Sequence, residues 1–215
     1  LGGMGRHDWN AAIDCGGFTA VAGVDINEDA CTAFTEKTGA PTFSSLDEAL
    51  TSTVADAALV GTPDHLHAPF AIQALEAGLD VISEKPMAES LEDARKMHET
   101  AEANGRMLMV HQQLRWHPMH FTARKLIQDD AIGTVRCLGS NMSVFSDAPL
   151  QGYRSKLPHA ILQDLAIHHL DLIRYLSGEE CDSLYVRDWP SLQDGIAIPT
   201  TTSAYAILNM THNVT

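Results

Sequence analysis

The chain has 215 residues, 45% of them hydrophobic, with 28 acidic side chains against 14 Lys and Arg and a formal net charge of -14. That length and apolar content suit a globular chain with a real core and exclude a disordered one. The basic residues are scattered singly or in pairs, so nothing offers a phosphate backbone the basic face it needs, and nucleic-acid binding is excluded.

The chain opens inside a glycine-rich turn with no strand ahead of it, and its last residues, LNMTHNVT, read as an unfinished strand. Both ends are therefore expected to be cut. Residues 4–16 have helical apolar spacing and stop at Gly16-Gly17. Phe18 to Val24 is a short apolar strand ending in Asp25. Residues 28–38 form a helix, with Asn27 as N-cap and Gly39 as the stop. Leu46 to Leu50 is a helical turn capped by Ser45. Ala57 to Val60 is a buried strand closed by Gly61-Thr62-Pro63, and residues 66–77 are a helix ending at Gly78. Asp80 to Ser83 is a strand closed by Glu84-Lys85-Pro86. Residues 91–103 are a helix capped by Ser90, and Met107 to Val110 is another strand. Strand and helix alternating at this spacing imply a doubly wound α/β domain with parallel strands.

After Pro118 the rhythm changes. Residues 119–128 read as a helix, Thr134 to Val144 as a long strand and Ser146 to Pro158 as a loop. Ala160 to Leu176 reads as a helix, and Ser183 to Val186 and Ser203 to Met210 as strands. This is an α+β pattern, which divides the chain into residues 1–118 and 119–215. No run approaches the roughly 20 apolar residues that cross a bilayer. The start is neither a signal nor a transit peptide. Cys15, Cys31, Cys137 and Cys181 are far apart with no CxxC pair, so reduced cytoplasmic thiols fit better than disulfides or structural zinc.

Gly2, Gly3 and Gly5 open the first helix. Glycines there let a backbone approach a pyrophosphate lying at the helix N-terminus. Gly2 and Gly5 match the second and third glycines of G-x-G-x-x-G; a plain helix-entry turn is the other reading. Asp25 ends the next strand, where an acid binds the adenosine ribose and repels a 2′-phosphate, favouring NAD over NADP. Two further strand ends carry chemistry: GTPDHLH from Gly61 to His67, and EKP from Glu84 to Pro86. A Lys between an acid and a proline at a strand end is suited to stabilise a developing alkoxide. It also reads as a surface Lys paired with Glu84.

In QDLAIHHLDLIRYLSG, Asp164, His168 and Asp171 sit at i, i+4 and i+7 and share one helical face. An acid one turn from a His orients the imidazole and stabilises its charge, which is how a general base near neutral pH is built. A solvated polar stripe is the plainer alternative. A metal reading lacks further ligands and ranks below catalysis. His169 points about 100° away and reads as structural.

Taken in this order, the glycine turn, TPDHLH, EKP and Asp164-x3-His168 resemble the Gfo/Idh/MocA family of NAD(P)-dependent oxidoreductases, over residues 1 to at least 178. The resemblance implies a Rossmann doubly wound parallel sheet followed by an α+β domain with a mostly antiparallel open sheet, here incomplete. It implies Lys85 as the catalytic Lys, Asp164 as the substrate-binding acid and His168 as the base. Gly2, Gly3, Met4, Gly5, Asp25, Ile26, Thr62, Pro63, His67, Glu84 and Lys85 fall at cofactor contacts. Gln113 and Arg115 fall where the family lines the cofactor–substrate cleft. Tyr153 and Arg154 join Lys85, Asp164 and His168 as substrate contacts. The family's glycine run before the acid is replaced by His159-Ala160-Ile161, and its later Gly by Ala166, which marks a subfamily.

The resulting expectation is a cytoplasmic dehydrogenase, homo-oligomeric at full length. It moves a hydride between a secondary alcohol of a sugar, inositol or related polyol and NAD(P), with NAD favoured over NADP and no metal. An NAD-dependent glycoside hydrolase of the same fold, or a non-catalytic dinucleotide-binding regulator, are the alternatives.

Overall fold

The computed structural model describes residues 1–141, 159–190, 192–193, 196–197 and 203–211. It comprises two compact units, Leu1–His111 and Gln112–Thr215. The division lies ahead of the expected 118/119 break. The reason is local: Gln113–Trp116 forms a 3-10 turn that packs against the helices following it, so it belongs with them.

In the first unit the order is α1 (Gly3–Asp14), β1 (Gly23–Val24), α2 (Glu28–Thr38), β2 (Thr42–Phe43) and α3 (Leu46–Ser52). Then come β3 (Ala57–Val60), α4 (His67–Glu76), β4 (Asp80–Ser83), α5 (Leu91–Asn104) and β5 (Leu108–Val110). All pairings are parallel: β1 with β2, and β3-β4-β5 in sequence order. The expected helix stops and caps hold. The Asn27 side chain accepts the Ala30 N–H, Ser45 that of Glu48 and Ser90 that of Asp93. Gly39 and Gly105 close their helices in the left-handed region, where only glycine is unstrained.

The strand expected over Phe18 to Val24 shrinks to two residues, because β2 offers only Thr42 and Phe43 to pair with it. β2 itself carried no readable pattern at that length.

The core has two parts. Ala68, Ala71, Ala74 and Leu75 of α4 pack with Met97 and Ala101 of α5 over Val60 and Val81. The alanines let α4 lie close, and the larger side chains fill the remaining space. Trp9 of α1 meets Phe34 of α2 edge to face, with ring centroids 5.1 Å apart. A third contact sets the depth of α1. A Cβ on Gly5 would stand 3.0 Å from the Gly61 carbonyl oxygen, and one on Gly61 would stand 2.7 Å from the Gly5 Cα. Helix and strand end therefore meet backbone to backbone.

The second unit contains α6 (Pro118–Gln128), a π-helical stretch Ile161–Ala166 running into α7 (Ile167–Ser177), β6 (Cys181–Trp189), β7 (Leu192–Gln193), β8 (Ile196–Ala197) and β9 (Ser203–Met210). Strands β6 and β9 pair antiparallel over nearly their whole length, and β7 with β8 is a second antiparallel pair. The fold is thus a Rossmann-like parallel sheet with helices, plus a small antiparallel sheet. Two expectations fail here. Thr134 to Asn141 is not a strand, since no described strand pairs with it; residues 142–144, and the loop expected over 146–158, lie outside the described residues. The helix expected over Ala160 to Leu176 is π-wound in its first turn and a half rather than α throughout.

The Gly5–Gly61 approach makes a prediction. Gly61→Ala forces backbone apart and should lower stability by about 1–3 kcal/mol. Gly17→Ala, where only the Cys15 sulfur lies near at 3.6 Å, should be close to neutral. Urea unfolding of the two variants checks the contrast.

Candidate active site

The glycine turn lies at the start of α1. Gly2 is the N-cap and Gly3 takes φ +53°, and neither has an atom within 4 Å of where a Cβ would stand. No acidic side chain occupies the first turn of α1. The helix N–H groups there keep their affinity for an anion. Asp25, just past β1, closes on this turn, with its carboxylate 3.2 Å from the Gly2 N–H and 2.9 Å from the Asn27 N–H. Burial works against its charge, and both N–H groups favour it. Met4 and Ile26 flank the turn and are both exposed. An acid beside an open glycine turn is the donor and acceptor set that a dinucleotide's ribose and pyrophosphate require, so these residues fit NAD.

The GTP turn after β3 and the EKP turn after β4 are braced together. His67, 1% exposed, sets Nδ1 2.7 Å from the Pro86 carbonyl oxygen and Nε2 2.8 Å from that of Thr62. Both ring nitrogens are engaged by backbone, so the ring expected to touch cofactor is a strut between two strand ends. Pro63 leads into the short 3-10 turn ahead of His67. The Thr62 hydroxyl is buried and has no hydrogen-bond partner among the described residues, which leaves it available to a ligand.

Lys85 is half-buried at the end of β4, and its peptide bond to Pro86 is cis. Its backbone N–H donates to Glu84 Oε2 at 3.3 Å. Glu84 is almost wholly buried, and its other oxygen lies 2.6 Å from His111 Nδ1. Asp8, on α1, brings its Oδ1 within 3.7 Å of the same nitrogen. Burial pushes Glu84 up, but the His111 bond and charge outweigh it and leave it below the ordinary value. The Glu84 bond holds His111 above 6.5. Asp8 is pushed up by burial and then by Glu84. Neither Asp8 nor His111 was legible as a site residue, because α1 and β5 meet here only in the folded chain.

In the second unit Asp164 is buried on the π-helical stretch and His168 is half-buried at the start of α7. The expected i, i+4 pair straddles the junction of the two helix types. Asp171 is taken by Arg115 in a two-pronged pair, Nε at 2.8 Å and Nη2 at 2.5 Å. The Arg115 guanidinium also stands 5.5 Å from the Tyr175 ring centroid. Arg115 thus anchors the turn before α6 to α7. The side-chain oxygens of Gln112 and Gln113 are buried without a hydrogen-bond partner among the described residues. His169 bonds Ser140, and burial lowers its pKa, with His120 adding to the effect. Tyr153 and Arg154 lie outside the described residues.

Residues 1–112 match the family described as an oxidoreductase family with an NAD-binding Rossmann fold, and residues 120–215 match the GFO/IDH/MocA C-terminal domain. An inositol 2-dehydrogenase of Rubrobacter xylanophilus is 29% identical over 189 residues, covering 86% of this chain and 53% of its own length. A levoglucosan dehydrogenase of Pseudarthrobacter phenanthrenivorans is 34% identical over 126 residues, covering 56% of this chain and 32% of its own. The crystal structure of the WlbA dehydrogenase from Bordetella pertussis, in complex with NADH and UDP-GlcNAcA, superposes with a TM-score of 0.74 at 28% identity, covering 91% of this chain and 57% of that one. The chain spans about half the length of the inositol dehydrogenase it matches.

The strut predicts a stability effect. His67→Ala removes a buried ring and strands the carbonyl oxygen that its N–H satisfies, and should cost about 2–4 kcal/mol. Urea denaturation should show a lower midpoint with an unchanged slope.

Proposed function

The chain belongs to the Gfo/Idh/MocA oxidoreductase family, and on that footing we propose that the protein transfers a hydride between a secondary alcohol of a sugar, inositol or related polyol and NAD. The carrying observation is the β4 end. There Lys85 is held beside a buried, ionised Glu84, and Asp8 of α1 reaches His111, the partner of that carboxylate. The helix that opens with the glycine turn and the strand that ends in Lys85 are therefore tied at one point.

The Lys85 ammonium stabilises the alkoxide by a charge-assisted hydrogen bond. His168 removes the hydroxyl proton, and Asp164 orients the imidazole and holds a substrate hydroxyl. Bound NAD supplies the hydride acceptor. Asp25 accepts from the ribose hydroxyls and disfavours a 2′-phosphate, which supports NAD over NADP. No described helix is long and apolar enough to cross a membrane, and the four cysteines are unpaired, which supports a cytoplasmic setting. On the β6–β9 pair, Tyr185, Trp189, Tyr205 and Ile207 are large, exposed and on one face, which supports self-association of the full-length protein.

A screen of the full-length protein for NAD and NADP reduction over sugars and inositols tests the activity. Lys85→Ala and His168→Ala should each lower kcat about 10²–10⁴-fold. Asp25→Ser should narrow the preference for NAD. Wild-type turnover in both the Lys85 and His168 variants would refute the mechanism; release of free sugar from an aryl glycoside would favour glycoside hydrolysis instead.

A further inference from the structure

Asp8, Glu84 and His111 come from α1, the end of β4 and the residue after β5, and their ligand-type atoms lie within 4.8 Å of one another. The side chains of Asp8 and Glu84 are 4% and 6% exposed. Two carboxylates so placed repel, and one imidazolium cancels only one of them. The remaining charge sits in a poorly hydrated site, where an unpaired carboxylate is costly. The Asp8 Oδ2 atom is buried and has no hydrogen-bond partner among the described residues, and Oδ1 has only His7 at 3.5 Å and His111 at 3.7 Å, so the carboxylate is poorly supplied with donors. The charged groups facing His111 are Asp8 of α1 and Glu84 of the β4 end. His7 is turned outward, 75% exposed and 3.5 Å from Asp8.

We propose that Asp8, Glu84 and His111 form a buried proton-holding triad that positions Lys85. His111 donates Nδ1–H to Glu84 Oε1, which fixes the orientation of its ring. Asp8 carries the proton that the pair does not neutralise. Glu84 is then free of a competing charge and keeps its second oxygen on the Lys85 N–H. Asp8 and His111 are positioning residues: they act on Lys85 through Glu84 and touch no substrate. The two-histidine arrangement is complete at this point, with His111 holding the residue before Lys85 and His67 holding the residue after it. A cation site is the competing use of such a cluster. The 2.6 Å His111–Glu84 bond opposes it, since a nitrogen donating its proton to a carboxylate has no lone pair for a metal.

The proposal rests on Lys85 acting in hydride transfer, and the test separates the two. In the full-length protein, side-chain NMR should find His111 titrating above 6.5, and Glu84→Gln should lower that value. A folded pKa raised in this way gives stability that is present below about 6.5 and is lost as pH rises through the folded value. Asp8, whose pKa is likewise raised, acts in the same direction, since its ionisation at higher pH is a native-state cost. Asp8→Asn should therefore raise Tm by about 2–4 °C at pH 8, with a smaller gain at pH 5. His111→Ala should lower kcat about tenfold with little change in KM for NAD. His111→Gln, which still donates to Glu84, should recover much of kcat with a flatter pH profile. An ordinary His111 titration overturns the triad. So does micromolar zinc that raises Tm of the wild type but not of Asp8→Asn. Loss of activity in Lys85→Ala, with His111→Ala unchanged in kcat and pH profile, overturns this proposal and leaves the role of Lys85 standing. Full activity in Lys85→Ala removes the role of Lys85 itself.

Discussion

A carboxylate buried at the carboxyl end of a parallel strand is the constraint around which the first unit is organised. Glu84 sits where β4 leaves the sheet, and burial pushes its pKa up. It stays ionised because His111 reaches it from the neighbouring strand. That contact requires β4 and β5 to end in register, as they do with Ser83 opposite Val110. On the other side His67 ties Pro86 to the turn after β3. The three parallel strands therefore end at one level because their terminal residues are bonded to one another. Backbone contact between Gly5 and Gly61 brings α1 down to the same level, which puts Asp8 against Glu84 and the glycine turn nearby.

Much of this was legible in the sequence where the signal is local. The bounds of β3, β4 and β9 were readable because each is a short run of suitable residues between clear breakers. The three capped helices were readable because Asn27, Ser45 and Ser90 act within three residues of themselves. The EKP and TPDHLH turns stood out for the same reason. What was not legible depends on distance along the chain. Asp8, Glu84 and His111 share no motif, since a helix and two strand ends bring them together. The pairing of Arg115 with Asp171 spans 56 residues. His67 was read as a ligand contact because sequence shows a histidine's chemistry but not its burial.

The second unit follows a related rule with different parts. A guanidinium joins its turn to its helix: Arg115 grips Asp171 through two bonds, and Arg124 donates to the carbonyl of Leu176 at the far end of the same helix. Tyr175 lies under both cations, at 5.5 and 5.6 Å. Such planar contacts are specific to arginine, since lysine offers a point charge without the fork. Helix α7 is thereby fixed near its start and its end, and His168 lies close to the first of these anchors.

The π-wound stretch from Ile161 to Ala166 has a consequence of its own. A π turn is a residue stored within a helix: the winding takes up one more position than an α turn of the same height. Removing any single residue from this stretch would let it rewind as α-helix with its ends still joined. Residues flanking the stretch would keep their phase, and only those within it would rotate about the axis. Asp164 would leave its present azimuth relative to His168, although both residues would remain in the sequence. The phase between acid and base is therefore set by a length, and substitution scanning, which preserves length, is blind to it.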